Sequence, residues 1–281
     1  MAGSPAIWLD GERTTALPLP DRGLDFGDGL FETLLVNQSR ILLPQLHMQR
    51  LEHGLATLRF PDTDSNTMTL VGQQLALACE AIQSWRWAAL RLTVTRGQGP
   101  RGYAPPAHPA PRIIIIATEL ESNHQAMRPA AQLALAGIRW SSQPALAGLK
   151  HLNRLEQVLA AAQAREAGAD EALMLGQQGN AISVSSGNLF IVTGGRLLTP
   201  AIVDSGIAGT RRRRVMELWA PAIGLAAEEA TLSTADLESA DEVFYSNSLV
   251  GLRPVASFGG RQWLDHPVCE ALYSQYLGEM V

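Results

Sequence analysis

The sequence predicts a two-domain α/β (α+β) architecture, with domains at residues 1–119 and 120–281. Three observations predict it. The chain of 281 residues is long enough for two compact domains. Short strand patterns alternate with longer helical patterns in both halves. A polar, proline-containing connector at 119–129 divides the two series. No repeat at a period of about 20 to 50 residues competes with this reading.

Taken in order, residues 6–8 and 31–36 read as strands, separated by the turn-rich Pro18-Leu19-Pro20-Asp21-Arg22-Gly23. Residues 46–58 read as a helix, because Leu51, Leu55 and Leu58 fall on one face. A second helix over 67–84 precedes the alternating strand 88–95 and the β-branched strand 112–118. Between those strands, 97–111 is rich in glycine and proline and reads as a loop. In the second half the patterns predict a strand at 131–139, a helix at 153–167 and strands at 171–175 and 189–193. A helix at 211–219 and a strand at 242–246 follow.

Composition narrows the function. With 46% apolar and 17% charged residues, the chain suits an ordinary soluble globule with a sizeable core. Its longest apolar runs, such as Ile113 to Ala117, fall far short of the roughly 20 residues of a membrane span. The first residues show no basic region leading into an apolar run, so no secretory leader is expected and the cytoplasm is the expected location. Cys79 and Cys269 are too few for a disulfide framework or a cysteine metal site. A net charge of −5 argues against nucleic-acid binding. The run Arg211-Arg212-Arg213-Arg214 could attract an anion, although such runs are most often one turn of a solvated helix.

One asymmetry is selective. Of 22 basic residues, 21 are arginine and Lys150 alone is lysine. Guanidinium replaces ammonium in most ion-pairing roles, but it stays protonated and cannot become the amine of a Schiff base. Lys150 lies on a loop before a helix, between apolar Leu149 and Leu152, a setting that favours a neutral, nucleophilic amine.

Gly97-Gln98-Gly99-Pro100-Arg101-Gly102 matches the dinucleotide pattern, but Tyr103-Ala104-Pro105-Pro106 opposes the helix that motif needs. The six histidines lack ligand spacing and no nucleophile elbow occurs, so neither a metal nor a serine triad is expected. His47 and Arg50 share a helix face that could meet an anion. Gly206-Ile207-Ala208-Gly209-Thr210-Arg211 could cradle a phosphate with helix amides, the Thr210 hydroxyl and guanidinium charge.

Together these residues resemble the fold-type IV pyridoxal-phosphate (PLP) enzymes, a family of branched-chain aminotransferases, D-amino-acid aminotransferases and aminodeoxychorismate lyases. The resemblance runs through Asp21 to Thr33, His47-Met48-Gln49-Arg50-Leu51, Lys150, Asn188-Leu189-Phe190, Gly209-Thr210-Arg211 and Ala240 to Val243. It implies the D-amino-acid aminotransferase-like fold, PLP on Lys150, and a homodimer whose site lies between the domains. Arg50, Ser183, Thr210, Arg211 and Ser248 are implied cofactor contacts. Phe31, Arg96, Arg101, Tyr103 and Arg154 are implied substrate contacts, the guanidinium groups suiting carboxylates.

Three stretches, 96–103, 150–157 and 247–255, resemble the lyase branch. That branch implies elimination of pyruvate from aminodeoxychorismate, giving 4-aminobenzoate for folate synthesis. One position departs from the family: Ser183 stands five residues before Asn188, where a glutamate usually faces the pyridine nitrogen. A serine makes the ring a weaker electron sink, which disfavours transamination. The alternatives are an aminotransferase of the same fold or a PLP-binding protein of low activity.

Overall fold

A computed structural model describes residues 4–60, 64–121 and 124–280. Met1-Ala2-Gly3, read above for a leader, and residues 122–123 of the connector lie outside the described residues. The chain divides into two compact units, 1–123 with 149–153, and 124–148 with 154–281.

Unit 1 contains β1 (Ala6–Leu9), β2 (Glu12–Arg13), α1 (Arg22–Phe26), β3 (Gly29–Asn37), β4 (Arg40–Ile41), α2 (Pro44–Thr57), α3 (Asp64–Ala81), β5 (Trp87–Thr95) and β6 (Arg112–Glu119). The strands form an antiparallel sheet in the order β2-β1-β6-β5-β3-β4. Its register stacks Leu34, Leu90 and Ala117 in one cross-strand row and Glu32, Leu92 and Ile115 in the next. Every apolar member of both rows is fully buried, each leucine worth about 1.5–3 kcal/mol. Glu32 is therefore a carboxylate carried into the core by strand register. Residues 97–111 form a loop with no helix, and Gly97 takes φ 75 there, where a Cβ would also collide with the Ala110 carbonyl.

Unit 2 contains β7 (Ala131–Trp140), α4 (Leu155–Glu166), β8 (Glu171–Gly176), β9 (Ala181–Val184), β10 (Asn188–Thr193), β11 (Arg196–Pro200), α5 (Thr210–Arg214), α6 (Ala220–Ala222), β12 (Ala227–Ala230), α7 (Thr234–Ser239), β13 (Glu242–Asn247), β14 (Gly251–Phe258), β15 (Arg261–Gln262) and α8 (Pro267–Gly278). The mixed sheet runs β12-β11-β10-β13-β14-β7-β8-β9, with β15 on β14. Around β8 it is covered on both faces. Ala172 and Met174 of β8 pack with Ala160 and Ala164 of α4, while Leu173 and Leu175 join Val184, Leu189 and Val255 on the other side.

One expectation shifts. The helix expected over 211–219 is α5 followed by a π turn at Val215–Trp219. The helix α8, which the sequence reading passed over, is started by tertiary contact: Glu242 of β13 accepts from the Val268 and Cys269 amides, which have no partner inside the helix. Among the described residues no helix is long and apolar enough to cross a membrane, and no cluster of His, Cys, Asp or Glu could hold a metal ion.

Candidate active site

The segment carrying Lys150 lies against the first residues of β3. Phe31 donates its amide to the Lys150 carbonyl at 2.9 Å, the Leu152 amide donates to the Gly29 carbonyl at 3.1 Å, and His151 bridges Leu30. Leu149 to Asn153 thus runs along β3 through an isolated bridge and belongs to unit 1, although a division after residue 119 puts it in the second domain. Gly29 permits the approach, since a Cβ there would come within 2.5 Å of the Val94 carbonyl and 2.9 Å of Leu152. Lys150 Nζ sits 4.3 Å from the centre of the Phe31 ring, and the Arg91 guanidinium lies 4.0 Å from the same ring. Phe31 thereby orients both cations.

The next residue, Glu32, points toward α2. It accepts from His47 Nδ1 at 2.7 Å, Arg50 Nε at 2.8 Å and Arg50 Nη2 at 2.5 Å. Burial pushes its carboxyl up, but the Arg50 charge and the hydrogen bonds from Arg50 and His47 prevail and bring it down to about 2. The spacing of His47 and Arg50 puts both on the strand-facing side of α2, where Glu32 fixes the guanidinium. Consecutive residues of β3 thus hold the amine and the arginine that the sequence singled out.

A second acid, Asp28, joins two more arginines. Its Oδ2 accepts from Arg22 Nε and Arg96 Nε, each at 2.8 Å. Burial raises this carboxyl, and the bonds from Arg96 and Arg22 outweigh it, leaving it below the usual range. Arg22 also donates to the Gly102, Tyr103 and Ala104 carbonyls, pinning the loop's backbone. Arg96, read as a substrate contact, is buried, and its other nitrogens bond the Leu58 and Arg59 carbonyls at 2.7 and 3.2 Å. Arg101 and Tyr103 remain exposed on the loop, Tyr103 at 87%, its ring 5.4 Å from that of Phe26.

In unit 2, Gly206 to Thr210 forms a built loop. The Gly148 amide donates to Gly206, the Ala208 amide to Gly148, and Asn188 Nδ2 to the Ile207 carbonyl, at 3.0, 3.0 and 2.8 Å. A Cβ at Gly209 would collide with Asn188 Oδ1, so Asn188 and Gly209 are fitted to each other. Thr210 begins α5 and is buried. Arg211, read as a phosphate contact, is buried with its guanidinium 5.2 Å from the Tyr276 ring. The arginine run does not form a cationic patch: Arg212 meets Glu229 and the Pro200 carbonyl, Arg213 meets Glu217, and Arg214 lies near Glu279. Successive residues of a helix point about 100° apart, so the four reach different partners. Ser183 is buried on β9 and its hydroxyl donates to the Val184 carbonyl at 2.9 Å. Ser248 occupies the turn between β13 and β14, closed by Asn247 Oδ1 accepting from the Leu249 and Val250 amides. Arg154 precedes α4, 5.8 Å from the Trp140 ring.

Sequence reasoning missed Glu32 and Asp28 as organising residues. A lone carboxylate within the apolar run Gly-Leu-Phe-Glu-Thr-Leu-Leu-Val, with a His-x-x-Arg helix to follow, was the available signal for Glu32. Unit 1 thus holds an amine over Phe31 and, from the next residue of β3, a guanidinium buttressed by a carboxylate, the kinds of group that bind an aldehyde and a phosphate.

Comparison with known proteins gives the family. The family model described as amino-transferase class IV matches residues 29–258. The aminodeoxychorismate lyase of Vibrio harveyi is 33% identical over 264 residues, 93% of this chain and 95% of that protein. The crystal structure of 4-amino-4-deoxychorismate lyase from Pseudomonas aeruginosa superposes with a TM-score of 0.83 at 38% identity, over 96% of this chain and 97% of the other. The branched-chain amino acid aminotransferase of Escherichia coli gives a TM-score of 0.84 at 25% identity, over 97% and 93%.

Proposed function

This chain belongs to the amino-transferase class IV family, and from that membership we propose that it is a PLP-dependent 4-amino-4-deoxychorismate lyase, releasing pyruvate and 4-aminobenzoate. The observation that carries the reading is the seating of the chain's single lysine, its carbonyl bonded to the Phe31 amide and its amine over the Phe31 ring, with the next residue of the strand, Glu32, fixing Arg50. Lys150 would hold PLP through its amine, and Arg50 its phosphate. When bound, PLP supplies an electron sink conjugated to the substrate amine.

The chain's own residues then do the rest. Freed when the substrate amine takes its place, Lys150 Nζ would remove the proton from the amine-bearing ring carbon and return a proton to the methylene of the enolpyruvyl group as the ring carbon–oxygen bond breaks. The ring becomes aromatic, which makes the step strongly downhill. Phe31 keeps the amine against an apolar surface, and Arg101 and Tyr103 of the exposed loop are the proposed partners of the substrate carboxylates. A cytoplasmic homodimer completes the proposal.

The Escherichia coli relative favours a second reading, an aminotransferase. Against it stands Ser183, whose hydroxyl proton goes to the Val184 carbonyl and which offers no charge. The test is to supply the PLP-loaded protein with aminodeoxychorismate, or with an amino acid and a keto acid. The lyase reading expects 4-aminobenzoate from the first and little exchange in the second. Exchange without 4-aminobenzoate would replace it.

A further inference from the structure

Arg96 uses its whole guanidinium, and its three partners belong to two places that matter. Nε meets Asp28, which directly precedes Gly29, and the Gly29 carbonyl receives the Leu152 amide of the Lys150 segment. Nη1 and Nη2 meet the carbonyls of Arg59 and Leu58, at the C-terminal end of the helix that carries His47 and Arg50. Such end carbonyls have no donor within the helix. The chain leaves α2 through Arg59 at φ 53 and enters it through Leu43 at φ 52, left-handed conformations that residues with a Cβ adopt only when neighbours impose them. The Phe60 ring stacks 4.1 Å from the Arg96 guanidinium and closes the clamp.

We infer that Arg96 is a positioning residue, clamping the end of α2 to the Asp28-Gly29 junction so that Arg50 is held in register with Lys150. The inference rests on the reading that Arg50 and Lys150 bind PLP. Glu32 fixes the middle of α2 and Arg96 fixes its end. With two fixed points the helix can neither slide nor pivot relative to β3. Lysine cannot replace Arg96, because a point charge on a flexible stem does not span a carboxylate and two carbonyls in one plane.

Phosphate separates positioning from mere stability. Affinities of the full-length protein for PLP and for pyridoxal, which lacks the phosphate, would be measured by tryptophan quenching. The set comprises wild type, R96Q, R96K, R50Q and R50Q/R96Q, each checked for folding by its melting curve. R96Q is expected to weaken PLP by about tenfold or more while pyridoxal changes little, since small misplacements of a binding group are that costly. R96K should fall between, and it carries the test if R96Q fails to fold. The double variant should bind PLP no more weakly than R50Q, because the clamp acts through Arg50. Equal losses for both ligands, or no loss for either, would overturn the inference. A wild-type chain with no preference for PLP over pyridoxal would overturn the cofactor reading itself, and the inference with it.

Discussion

Replacing Glu32 with glutamine keeps the side chain's shape and removes its charge, so it tests how firmly the core carboxylate is bound to Arg50 and His47. Depression of its pKa from the ordinary 4.5 to about 2, at about 1.4 kcal/mol per unit, corresponds to about 3 kcal/mol of stability at pH 7. Independent reasoning gives the same scale, since breaking a buried ion pair leaves an uncompensated charge costing about 3–5 kcal/mol. The sign follows from the depression: the contribution is complete above pH 4.5 and disappears as pH falls through about 2. The gap between wild type and Glu32→Gln should therefore be about 3 kcal/mol at pH 7 and about half that at pH 3. Urea unfolding followed by tryptophan fluorescence at the two pH values measures it. A gap under about 1 kcal/mol at pH 7, or one that does not narrow in acid, would refute the argument.

Lys150→Ala should abolish both 4-aminobenzoate formation and the borohydride-stable PLP adduct; a label recovered on any other peptide would contradict the assignment. Gly209→Ala should destabilise unit 2 by about 1–3 kcal/mol, because its Cβ meets Asn188 Oδ1. Asn188→Ala should relieve part of that cost, and unfolding midpoints of the two single variants and the double variant would decide. Burial pushes the Cys79 thiol up to about 11 and Cys269 well above its ordinary 9. Native protein at pH 8 should accordingly react with a thiol reagent only after denaturant is added, and prompt labelling of either cysteine would show that the burial is wrong.

Much of this was legible in the chain because it depends on local pattern or on chemical exclusivity. The isoleucine strand β6, the leucine face of α2 and the loop before Tyr103 follow from periodicity and from proline. Lys150 stood out because no arginine can do what an amine does. The short β2, β4 and β15 were not readable, since two-residue strands exist only through their partners. Nor was α8, whose first amides are satisfied by an acid from another strand.

The sequence by itself determined the two-part α/β character, the amine at Lys150 and the family to which the blocks belong, because each is a matter of residue type and spacing. Tertiary structure alone decided the employment of the arginines. Arg50, Arg96 and Arg211 have one chemistry, yet one is aimed by a buried glutamate, one spans Asp28 and a helix end, and one lies under a tyrosine ring. A guanidinium binds whatever acceptors the fold brings into its plane. Those acceptors come from residues tens of positions away, which no local pattern can show.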